Sequence, residues 1–215
     1  MKKLGLYIHI PFCVKKCNYC DFLSAPATKQ VQMAYMDTLQ KEIKEKATEY
    51  SDRCVDTVFI GGGTPTSVPY ETLVKMMDTF REVFCLDKDC EITLECNPGT
   101  VTKEALKAYR AAGINRLSIG LQSTDNALLK ILGRIHTYEQ FLETYTWARE
   151  AGFENINVDI MSGLPNQTLE QYEDTLKKLV ELKVEHISAY SLIVEEGTPF
   201  YKLYEGDRLA LPDED

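Results

Sequence analysis

Three cysteines, Cys13, Cys17 and Cys20, fall within eight residues of one another in the stretch "PFCVKKCNYCDF". Thiolates are soft ligands suited to iron–sulfur clusters or to zinc. A cluster of four irons takes four ligands, one per iron, so three cysteines leave one iron free to hold something else. A closed zinc site needs a fourth protein ligand, for which His9 and Cys54 are the candidates. Structural zinc commonly uses paired C-x2-C units, and only one is present here. The C-x3-C-x2-C spacing therefore points to a cluster before it points to zinc.

Further residues of chemical interest follow apolar segments. "GGGTPT" spans Gly61 to Thr66. Its glycines let the backbone approach a ligand closely. It lacks the lysine of a phosphate loop, which excludes nucleoside triphosphate binding of that kind. A tight strand-to-helix turn is the plain alternative. Glu95 ends an apolar run in "LECNP". Gln122 ("IGLQS") and Arg134 ("LGRIH") lie twelve residues apart, and an arginine can fork onto a carboxylate. Asp159 sits inside the apolar "VDIMSGLP", where a carboxylate without a partner would cost several kcal/mol. Tyr7 and Tyr19 flank or enter the cysteine segment. Tyr7 reads equally as a core tyrosine. His136, His186 and Trp147 carry no signal beyond ordinary packing.

The elements that must position these residues alternate regularly. Strand patterns cover 4–10, 55–60, 91–96, 115–122, 156–163 and 186–192. Helical spacing covers about 28–50, 70–84, 103–112, 125–131, 138–151 and 168–182, with Thr102 available as a helix cap. Two joints, "RAAGINRLSIG" and "REAGFENINVDI", end a helix on Ala-Gly shortly before a strand. Such alternation predicts an α/β fold with a parallel sheet covered by helices. The best fit is a partial barrel, (β/α)6, and a doubly wound open sheet is the alternative. Cys13, Gly61 to Thr64, Asn97, Gln122 and Gly163 all sit just after strands. In either fold those strand ends share one rim.

The sequence has 215 residues, a net charge of -9 and a pI of about 5.0, which argues against a protein built to grip nucleic acid. No apolar run approaches a membrane span. The start, "MKKLGLYIHIPFC", is too short and too interrupted for a signal peptide. These features predict a cytoplasmic protein. There the remaining cysteines, Cys54, Cys85, Cys90 and Cys96, stay reduced and are read as small buried or half-buried residues.

"CVKKCNYC" after a first strand resembles the radical S-adenosylmethionine (SAM) enzymes. Together with "YIHIPFC" and "GGGTPT" it is similar to the branch holding the oxygen-independent coproporphyrinogen III oxidases and the haem chaperones. The resemblance runs from about residue 4 to 200. It implies a [4Fe-4S] cluster on Cys13, Cys17 and Cys20, with SAM chelated at the open iron. An electron from the cluster, supplied by an electron donor protein, then breaks the sulfonium bond to give a 5'-deoxyadenosyl radical. The resemblance places Gly62, Gly63 and Thr64 at the amino-acid end of SAM. It makes Glu95, Gln122, Arg134 and Asp159 further contacts, the last satisfied by a ribose hydroxyl or by Arg134. Tyr7 becomes a SAM contact and Tyr19 packs over the cofactor, with His9 either a hydrogen-bond donor behind the contacting residues or an alternative cluster neighbour.

Two departures matter. The oxidases carry another cysteine two residues after the third, where this chain has Phe22. This disfavours coproporphyrinogen dehydrogenation and favours the haem-chaperone group, with haem as a possible further ligand. Proteins of the branch also continue into a C-terminal region. Residues 1–205 are therefore expected to form the radical SAM core, and 206–215 the start of that further region. A non-catalytic zinc or binding module is the alternative from another class.

Overall fold

The computed structural model describes residues 2–212. Six strands form one sheet in the order β1-β2-β3-β4-β5-β6, and every pairing is parallel. They are β1 (Lys2–Ile10), β2 (Arg53–Gly62), β3 (Leu86–Cys96), β4 (Arg116–Gln122), β5 (Asn155–Ser162) and β6 (His186–Ser191). A doubly wound sheet reverses its strand order at a switch point. This sheet never does, so the open-sheet alternative gives way to the half-barrel.

Helices return the chain between strands: α1 (Lys29–Glu49), α2 (Tyr70–Val83), α3 (Lys103–Ala111), α4 (Asn126–Ile131), α5 (Tyr138–Glu150) and α6 (Leu169–Leu182). All but α2, which follows Pro69, begin where a side chain satisfies free amides. Thr28, Thr102, Thr137 and Thr168 accept from the third residue inside their helices. Gln140 and Gln171 complete capping boxes for α5 and α6. Gly113 and Gly152 take φ of +84° and +90° at the two Ala-Gly joints, as the left-handed turn out of a helix requires.

Burial explains the strand patterns. Ile8, Ile10, Val58, Ile60, Ile92, Leu94, Leu117, Ile119, Ile156, Val158 and Ile160 are buried in one core with the helix faces. Their alternate neighbours Tyr7, His9, Glu95, Ser118 and Asp159 belong to the other face of the sheet. The lumen of the half-barrel is thus polar by sequence alternation.

Two elements lack a clear sequence signal. One is a 3₁₀ turn at Pro65–Ser67, and the other is α7 (Pro199–Tyr204), capped by Thr198. β3 also starts earlier than its apolar run, because Val55 pairs with Leu86 before the register slips to Thr57 with Glu91. Of the predicted 206–215 segment, residues 213–215 lie outside the described residues. No helix among those described is long and apolar enough to cross a membrane.

Candidate functional site

The cysteines sit on a loop with a closed neck. Phe12 bridges Ala25, Cys13 N–H donates to the Ala25 carbonyl at 3.2 Å, and Ala25 N–H donates to that of Pro11 at 3.0 Å. The loop tip is tied to distant chain: Asn18 N–H donates to the Leu132 carbonyl (2.9 Å), and its side-chain amide donates to that of Ile131 (2.8 Å). Phe200 N–H donates in turn to the Asn18 carbonyl (3.0 Å). All three thiols line one cavity at the strand ends, with Tyr19, Gly62, Gly63, Thr64, Glu95, Gln122, Arg134 and Asp159.

Local chemistry fixes each member. Gly63 N–H and Thr64 N–H donate to the carbonyls of Ile10 and Phe12, which brings the end of β2 against the cysteine loop. A Cβ on Gly63 would lie 2.6 Å from the Phe12 carbonyl oxygen and 2.9 Å from Cys13 Sγ, so only glycine fits. The Thr64 hydroxyl lies 3.7 Å from Cys13 Sγ. Gln122 is buried with φ of +74°, just past a slip in the β4–β5 register. That conformation is unfavourable for a side chain with Cβ and must be held by its surroundings.

Arg134 donates to Asn97 Oδ1 (2.6 Å), to the Gly120 carbonyl (2.5 Å) and to Cys17 Sγ (3.6 Å). Its Nε is buried without a partner. The expectation that Arg134 can satisfy Asp159 is not met. Asp159 accepts instead from Asn157 Nδ2 (2.7 Å) and Ser118 Oγ (3.2 Å). Two residues of the network are given no role by the sequence, although Asn97 is placed on the strand-end rim. Asn97 joins Arg134 to the Thr64 hydroxyl (2.8 Å). Asn157 ties together Ser118, Asp159, Ser188 and His186. The alternation N-V-D on β5, which puts Asn157 and Asp159 on one face, was the available clue.

Burial sets the electrostatics. It pushes Glu95 up to about 7, although Gly62 N–H donates to its carboxylate at 3.0 Å, and the Asp159 charge adds to the rise. Asp159 is raised by burial and held back by its donors Asn157 and Ser118. Burial raises the Cys20 thiol too, against a backbone hydrogen bond from Phe22. Burial and then the Arg134 charge drive His136 down to about 3, so that ring is neutral. The site therefore holds two carboxyls in surroundings that disfavour their charge. A cationic ligand would reverse that preference.

Tyr7 stands apart. It is 59% exposed, stacks on Phe59 at 6.1 Å and shares a 3.2 Å hydrogen bond with His9 Nδ1. It lines a larger cavity of about 410 Å³ with residues of α1 and α2. That cavity gathers no thiols, so size does not mark the site; chemistry does. His9 Nε2 is also engaged, at 3.0 Å from the Leu23 carbonyl. Cys54 lies near the start of β2 and Gly62 at its end, roughly 26 Å apart at strand rise. Neither is placed to complete a zinc site. Among the described residues no three His, Cys, Asp or Glu side chains gather closely enough to hold a metal ion. A cluster does not require that, because each thiolate meets its own iron.

Comparison with known proteins defines the class. The radical SAM superfamily model matches residues 7–179, and the chain belongs to that superfamily. It is 42% identical over 207 residues to the haem chaperone HemW of Bacillus subtilis, covering 96% of this chain and 55% of that protein. It is 40% identical over 214 residues to HemW of Escherichia coli, covering 99% and 55%. The solved coproporphyrinogen III oxidase HemN of Escherichia coli, a radical SAM enzyme, superposes with a TM-score of 0.88 at 31% identity. That match covers 99% of this chain and 49% of HemN. The chain thus spans about half the length of these relatives.

Proposed function

We propose that Cys13, Cys17 and Cys20 bind a [4Fe-4S] cluster, that SAM is held at its fourth iron, and that the protein acts in haem handling in the manner of HemW. One observation carries the reading. All three thiols share a cavity with every predicted SAM contact save Tyr7. The fit of the residues supports both groups. Gly63 lets the end of β2 close directly onto Cys13, and Arg134 keeps an unpartnered buried donor. When bound and reduced, the cluster supplies one electron for cleavage of the SAM sulfonium bond.

The chain's own residues bind and orient. Glu95 accepts from the SAM ammonium, whose charge restores the carboxylate that burial disfavours. Arg134 pairs with the SAM carboxylate, steered by Asn97. Asp159 and Gln122 accept and donate at the ribose, and the Asn157 hub keeps Asp159 in place. Tyr19 covers the loop side of the cofactor. Tyr7 reaches its ligand from the open edge of β1. Residues 1–205 act as the radical SAM core and 206–215 lead toward a further region. Haem, an electron donor protein and a cytoplasmic setting complete the reading. Coproporphyrinogen III dehydrogenation is the second reading, supported by the likeness to HemN and opposed by Phe22 at the further-cysteine position.

The test is anaerobic reconstitution with iron and sulfide, then metal analysis and electron paramagnetic resonance with and without SAM. About four irons per chain, a reduced spectrum altered by SAM, and 5'-deoxyadenosine on reduction are expected. Zinc in place of iron, or a spectrum indifferent to SAM, overturns the proposal. Haem titration of the same sample separates the haem role from the SAM role.

A further inference from the structure

The sheet carries a second pair of thiols, at the end opposite the cluster loop. Cys54 is the second residue of β2, and Cys85 immediately precedes β3. Val55 pairs with Leu86, and Val55 N–H donates to the Cys85 carbonyl at 2.8 Å. Cys54 and Cys85 are therefore neighbours across two adjacent strands. Strand spacing is about 4.8 Å, within the Cα separation that a disulfide accepts. The two sulfurs already stand 3.1 Å apart, closer than unbonded sulfur atoms normally pack, and both are free thiols. Cys85 is exposed and Cys54 half-buried, so a reagent in solution meets Cys85 first. Of the cysteines expected to be buried or half-buried, Cys54 is half-buried and Cys85 is exposed instead, and register places the two side by side.

We propose that Cys54 and Cys85 are a modification site, closing to a disulfide by exchange with a low-molecular-weight disulfide. The Cys85 thiolate attacks one sulfur of the reagent, breaking its S–S bond and releasing one thiolate. Cys54, after losing its proton to water, attacks the Cys85 sulfur of the mixed disulfide and releases the second thiolate. Two protein thiols are oxidised and one small disulfide is reduced to two thiols. The sharing of a proton with Cys85, followed by burial, holds the Cys54 thiol protonated above its ordinary range. The lysine beside the pair does not assist, because Lys3 Nζ is engaged with Asp56 at 3.1 Å. The closed bond would staple β2 to β3 without touching the cluster loop.

The experiment uses the cluster-loaded protein, held anaerobically with oxidised glutathione. Acid quenching, alkylation of free thiols and peptide mapping by mass spectrometry follow. The expected result is a cross-linked pair of peptides containing Cys54 and Cys85, with two fewer alkylated thiols and unchanged iron content. In C54S, Cys85 is expected to retain one glutathione instead. Alkylation of both Cys54 and Cys85 in the treated wild type, or a stable glutathione adduct on wild-type Cys85, overturns the proposal. The wild-type map decides even if C54S does not fold. A failure to bind SAM has no bearing on it.

Discussion

Glu95 gives the sharpest quantitative prediction. Its carboxyl ionises near pH 7 in the folded chain, against 4.5 for an unburied glutamate. The folded state therefore binds its proton more tightly than the unfolded state between those values. Stability from this group is greatest below pH 4.5, falls as pH rises toward 7, and is flat above. At about 1.4 kcal/mol per unit, the loss between pH 5 and pH 8 is about 2.5 kcal/mol. Glu95→Gln removes the titration while keeping an acceptor for Gly62 N–H. Urea unfolding of both proteins at pH 5 and pH 8 measures the difference. The variant should gain on the wild type by about 2.5 kcal/mol between the two pH values, as a shift in midpoint at constant slope. Parallel pH profiles would refute the claim that this carboxyl is held in an unfavourable environment. The same substitution should weaken SAM binding by tenfold or more, because a neutral amide no longer attracts the ammonium. Stability and ligand affinity are thus expected to move in opposite directions at one residue.

Other perturbations separate the parts of the site. Single replacement of Cys13, Cys17 or Cys20 by Ala should leave iron well below about four per chain after reconstitution and abolish the SAM-sensitive signal. A full iron complement in any of the three would remove that cysteine from the ligand set. Gly63→Ala forces a Cβ against the Phe12 carbonyl and Cys13 Sγ. It should lower stability by about 1–3 kcal/mol, read from urea midpoints, and cluster retention should fall with it. Asn97→Ala takes one acceptor from Arg134 and a donor from Thr64, so the SAM Kd should rise about tenfold with iron content unchanged. An unchanged Kd there would mean that Arg134 does not need Asn97 to be positioned.

The sequence was informative where residue type alone narrows the chemistry. Three thiols at short spacing, glycines that must admit a backbone, and a carboxylate inside an apolar strand each have few physical explanations. Their convergence followed from the alternation of elements, since the ends of parallel strands share a rim. What stayed hidden depends on pairings between distant strands. Asn97 was legible as a rim residue but not as the partner of Arg134 and Thr64, and Asn157 looks like an ordinary strand residue until β4 and β6 stand beside it. The Arg134 partners were misjudged for the same reason: Asn97 and the Gly120 carbonyl are reached through the fold, not through sequence distance. The early start of β3 is masked by the polar "DKD" that follows Leu86. Short α7 offers only Thr198 and Pro199, a pair common in loops.

The ties of Asn18 have a consequence for biogenesis. The cysteine loop is synthesised well before the anchors of its tip, which are the carbonyls of Ile131 and Leu132, more than a hundred residues later, and the amide of Phe200. At ordinary rates of synthesis that interval is on the order of ten seconds. During it the loop has its neck and its ties to Gly63 and Thr64 but no clamp at the Asn18 tip, which leaves its thiols open to adventitious metals and oxidants. Sequential pairing of neighbouring strands lets β1 to β4 assemble meanwhile. The nascent chain thus has a window in which its thiols are exposed and its scaffold incomplete, and a cluster delivered after α4 has docked would meet a loop already shaped to receive it.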